Sequence, residues 1–68
     1  MQNSMTLRAA IDEIQRDLWL SDIYSIPTAD ALRVWGQRQA KDLAESPYVD
    51  EIRKAYTEKL KRLEGGAG

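Results

Sequence analysis

The chain has 68 residues, ten basic and eleven acidic side chains, and neither His nor Cys. That length allows one domain at most, with a core too small to be comfortably stable alone. The composition closes off disulfides and ordinary zinc sites, a net charge of −1 gives no global attraction for nucleic acid or anionic lipid, and a 43% hydrophobic content is too high for a disordered chain.

The N-terminal "MQNSMTLRAAIDE" lacks the basic start and apolar centre of a signal peptide. No run of about 18 apolar residues occurs, so no membrane span is expected. Together with the missing Cys, this points to a cytoplasmic protein. A first helix is expected over about 6–20, capped by Ser4 or Thr6. Leu7, Ile11, Ile14 and Leu18 recur at steps of four, three and four, a single stripe close to a coiled-coil seam. Ala10 widens it. So narrow a seam suits one partner helix, and these four residues are read as the self-association surface of a homodimer. Asp12, Glu13 and Asp17 lie near one another on the same helix. With Arg16 among them they read as a solvated face, and no metal site is expected.

The following "SDIYSIPTAD" carries the Ser, Asp and Pro of a loop over 21–30, with room for a short helical turn at 22–25. Pro27 pushes Ile26 towards extended geometry. Ile23 and Tyr24 are large for a loop. Together with Trp19 and Trp35 they exceed what one internal stripe buries, and Trp, Tyr and Arg are enriched at binding hot spots. Trp19, Ile23, Tyr24 and Trp35 are therefore expected to form a partner-binding surface, Trp35 being also a core candidate.

A second helix is expected over about 28–45, with Thr28 as cap and Asp30 in the first turn. Leu32, Trp35, Gln39 and Leu43 make its inward stripe. Gly36 costs about 1 kcal/mol relative to Ala inside a helix, so it marks either a close approach or a weak point. In "ESPY", Ser46 is a good cap and Pro47 a good first helical residue. A third helix then runs over about 47–63, with Val49, Ile52, Tyr56, Leu60 and Leu63 as its stripe. Its acidic residues come early and its basic ones late, as the helix dipole favours. The alternative is a single helix kinked at Pro47.

"QAKDLAES" followed by "PYVDEIRKAYTEK" can be laid on a helix-turn-helix DNA reader. The break at Ser46-Pro47 is too short for that motif. Asp50 and Glu51 stand where the bases would be met, while Lys59, Lys61 and Arg62 lie at the far end. Catalysis lacks a His or Cys base, and no Gly-rich phosphate loop is present. No catalytic residue and no cofactor are expected.

The sequence thus predicts an all-α fold: three helices, the second and third forming a hairpin around Ser46-Pro47. One helical domain is expected over 1–64, with a flexible Gly-rich tail at 65–68. The expected state is a homodimer. The expected function is non-enzymatic: a small regulator, adaptor or inhibitor that docks on another, larger protein. Compact Cys-free helical chains of this kind are common among bacterial and phage accessory proteins. The alternatives are a helix-turn-helix-like DNA-binding regulator and a purely structural oligomerisation module.

Overall fold

The computed structural model describes residues 4–65, with side chains over 7–65. It contains three α-helices, α1 (Ser4–Ser25), α2 (Ala29–Ala44) and α3 (Val49–Gly65), and no strand among the described residues. No helix there is long and apolar enough to cross a membrane. Gly65 closes α3, and the rest of the expected Gly-rich tail lies outside the described residues.

The first helix corrects the sequence reading. It continues to Ser25, through the stretch expected to be a loop. The polar residues there satisfy themselves without leaving the helix. Ser25 Oγ donates to the Ser21 carbonyl at 2.8 Å, and the Ile26 N–H still reaches the Asp22 carbonyl at 3.1 Å. Pro27 then stops the helix, because it has no N–H to donate. The last turn of α1 has no basic residue of its own. Lys59, from α3, supplies one, its Nζ donating to the Tyr24 carbonyl at 3.0 Å. A cation at the carbonyl end of a helix satisfies an otherwise unpaired acceptor and complements the dipole.

Thr28 caps α2 in extended geometry, and its Oγ1 accepts the Ala31 N–H at 3.1 Å. After Ala44 the chain turns through 45–48. The Ser46 N–H bonds to the Leu43 carbonyl at 3.0 Å, while Ser46 Oγ accepts the Tyr48 N–H at 3.1 Å. α3 starts at Val49, two residues after Pro47, so α2 and α3 are two helices and not one kinked helix.

Lys59 lies beside Tyr24, and Arg16 beside Tyr48 and Glu51. α1 and α3 therefore run in the same direction. Arg33 pairs with Glu64 near the other end of α3, and Gly36 meets Tyr56, so α2 runs against them. α3 packs on both of its neighbours. α1 and α2 are joined by two indole N–H bonds, Trp19 to Gln39 Oε1 at 3.3 Å and Trp35 to Asp22 Oδ2 at 3.2 Å. The core is Trp19, Ile23, Leu32 and Ile52, with Leu20, Ile26, Trp35, Leu43, Ala55, Tyr56, Leu60 and Leu63 packed around it. Among the described residues, no buried side-chain polar atom lacks a partner.

Gly36 marks a close approach. A Cβ built there would lie 2.8 Å from Tyr56 Cε2. The Tyr56 ring is not free to retreat, being stacked on Trp35 with centroids 6.4 Å apart. Gly36→Ala gains about 1 kcal/mol of helix propensity, but overpacking costs typically 1–3 kcal/mol. The expected net effect is a loss of about 1 kcal/mol. In a Tyr56→Ala background the sign should reverse, with Gly36→Ala raising stability. Urea titrations of the four chains check this, and an equal effect in both backgrounds would refute the steric account.

Candidate functional site

Two stretches of apolar surface remain outside the core, and they face opposite ways. The larger is the seam of α1. Leu7, Ile11, Ile14 and Leu18 are 53–60% exposed, although Trp19 on the same helix is 3% exposed. On a helix wheel the two sets are centred about 125° apart. Trp19 and Ile23, four residues apart, point into the bundle. Leu7, Ile14 and Leu18 are turned to solvent, and Ile11, also exposed, borders a shallow depression with Asp42, Glu45 and Ser46. α1 is therefore apolar on both faces, and the chain's own helices cover only one of them.

The seam has a defined border. Arg8 and Gln15 line one edge and Ala10 and Asp17 the other. Arg8 pairs with Asp12 one turn on, at 3.6 Å. Asp17 is held by Arg16 at 3.1 Å. The Arg16 guanidinium also sits 4.8 Å from the centroid of the Tyr48 ring and 3.9 Å from Glu51. The hydrogen bond to Asp17, above all, pushes its pKa further up from an already high ordinary value. Arg16 is thus a permanent cation that clamps α1 onto the start of α3. The clamp adds to the burial of Trp19 and Ile23 in setting the rotation of α1, and with it the direction in which the seam faces.

The second stretch is a groove of about 510 Å³ between α2 and α3, on the side away from α1. Its floor is Gly36, Ala40, Leu43, Ile52, Tyr56 and Leu60, and Arg33, Gln37 and Arg53 stand along it. Arg33 is tied to Asp30 at 3.2 Å and also to Glu64.

The four residues expected to meet a partner are not brought together. Trp19 and Ile23 are buried, at 3% and 0% exposure. The expectation of a surface role is corrected for both: Trp19 lies on the α1 face that packs on α2 and α3, and the continuation of α1 past Leu20 carries Ile23 onto the same face. Trp35 is half-buried against Tyr56. Tyr24 alone stands out, at 65% exposure, near the end of α1 and off the seam. The contribution of Lys59 was missed, and no local signal reveals a bond between residues 35 apart in sequence. Among the described residues, no group of three or more His, Cys, Asp or Glu comes together to hold a metal ion.

Compared with known proteins, the chain matches no family model, no curated protein and no solved structure.

Proposed function

We propose that this chain is a non-enzymatic protein-binding module of the cytoplasm, a regulator, adaptor or inhibitor that docks on a larger protein through helix faces. One observation carries this reading. Leu7, Ile11, Ile14 and Leu18 form a continuous apolar strip on α1 that the chain itself leaves more than half exposed. Contiguous apolar surface on a small protein marks an interaction site. The spacing fits the groove of an apposed apolar helix. The hairpin of α2 and α3 supports α1 from behind and offers its own apolar groove on the far side. The DNA-binding alternative finds less support, because Asp50 and Glu51 are exposed in the first turn of α3, where bases or phosphates would approach.

The test has two stages. A partner recovered from cell extract is purified and titrated calorimetrically with the wild-type chain and with Ile11→Asp. Binding should weaken at least tenfold while helicity by circular dichroism is unchanged, because Ile11 is exposed in the fold. Undiminished binding would sink the seam as the docking face. Recovery of nothing but the chain itself would leave a purely structural oligomerisation module.

A further inference from the structure

The α1 seam reads the same in both directions. Its residues are Leu, Ile, Ile, Leu, and its steps are four, three, four. Turned end for end, it places Leu7 over Leu18 and Ile11 over Ile14. A two-fold dimer needs one patch that complements its own copy, and this one does so in size, shape and spacing. Resting on the reading of the seam as a protein-binding face, we infer that its occupant is a second copy of this chain, paired antiparallel about a two-fold axis between Asp12 and Glu13.

The borders of the seam select the direction. In the antiparallel pair, Arg8 lies beside Gln15 of the second copy and Ala10 beside Asp17 of the second copy. No like charges meet, and the small Ala10 lets the helices approach closely. In a parallel pair, the flanking positions of successive heptads meet across the seam. Asp17 would then face Asp22 of the second copy, and this would happen twice, a like-charge approach that the Arg16 partner of Asp17 and the Trp35 bond to Asp22 offset only in part. α2 and α3 pack on the Trp19–Ile23 side of α1, and the end of α2 borders the Arg8–Gln15 edge of the seam while leaving the four apolar side chains more than half exposed.

The area agrees with a specific but dissociable dimer. The four side chains offer about 400 Å² of apolar surface per copy, against about 800 Å² for one side of a standard interface. With the flanking residues added, the pair falls at the lower end of specific interfaces. The chain should therefore pass from dimer to monomer on dilution. The α2–α3 grooves would face outward from such a dimer, one on each side, and a larger partner that takes the seam would displace the second copy.

The full-length chain tests this in two measurements. Analytical ultracentrifugation across about a hundredfold dilution should show a species of twice the 7.8 kDa chain mass giving way to the monomer. Ile14→Lys, at a position 60% exposed in the protomer, should shift that equilibrium at least 100-fold towards monomer with unchanged helicity. Direction is read by cysteine cross-linking, which has no background in a Cys-free chain. Mixed Leu7→Cys and Leu18→Cys chains under a mild thiol oxidant should give the mixed disulfide. Leu7→Cys alone should stay reduced, because its two sulfurs would be about 16 Å apart along the helix pair. A disulfide formed as readily by Leu7→Cys alone overturns the antiparallel pairing. A monomer at every concentration overturns self-pairing. If Ile11→Asp then still abolishes binding of a larger partner, the protein-binding reading stands without it; if it does not, both fail.

Discussion

Trp19→Ala is expected to remove a large share of the protein's stability. Trp19 is 3% exposed and sits where α1 meets α2 and α3. Truncating a buried Trp costs about 3–5 kcal/mol, from lost transfer energy and from the cavity left behind. A chain of this length has a total stability of about 3–10 kcal/mol. The indole N–H bond to Gln39 is lost as well. Gln39 is only half-buried, so water can replace that partner and the added cost is modest. Trp19→Phe should fall between the two, keeping most of the ring volume and losing the bond. Urea denaturation followed by circular dichroism measures all three chains. A Trp19→Ala chain within about 1 kcal/mol of wild type would remove Trp19 from the core and restore it as a partner-facing residue.

Ile23→Ala and Ile14→Ala make the second contrast. Both are isoleucines on one helix, and a sequence-based scale treats them alike. Ile23 is fully buried against Leu32 and Ile52, while Ile14 is 60% exposed. Ile23→Ala should cost about 2–5 kcal/mol. Ile14→Ala should stay within about 0.5 kcal/mol when measured dilute enough for the chain to be monomeric. The difference is a direct reading of which face of α1 the chain covers by itself. Equal losses would mean that the seam packs within the protomer.

The same helix shows where sequence reasoning runs out. The periodicity of Leu32, Trp35 and Leu43, and of Ile52, Tyr56, Leu60 and Leu63, points to residues that do pack in or around the core. A stripe on an amphipathic helix tells which way its partner lies when there is only one stripe. α1 has two. The more regular one, Leu7–Ile11–Ile14–Leu18, is the one turned outward. Periodicity cannot say whether a stripe is covered by its own chain or by another. The second failure has a different cause. Ser21, Asp22 and Ser25 carry loop chemistry, but it acts over a few residues only. Burial of Ile23, supported by Asp22 bonding to Trp35 and Lys59 bonding to Tyr24, outweighs it. Those bonds span 13 and 35 residues, beyond any local pattern. The seam was legible as an apolar stripe, and the structure leaves that stripe exposed. The loss of Trp19 and Ile23 to the core was not legible, because it depends on which face of α1 the other helices cover and, for Ile23, on where the helix ends.

Ahead of Asp12, α1 is covered little by its own chain: every described side chain from Leu7 to Ile11 is exposed, and only Arg8 and Ile11 among them border the end of α2 across a shallow depression. A helical arm of this kind gains only its own backbone bonds, and a short run of them is marginal in water. Under two-fold pairing, each arm would lie along the second copy and borrow from it the support that the protomer withholds. Ordering the arm and meeting the second copy then become a single event, and the cost of the first is set against the gain of the second. On that pairing the protomer would be two regions of unequal independence: a bundle whose order is its own, and an arm whose order follows concentration.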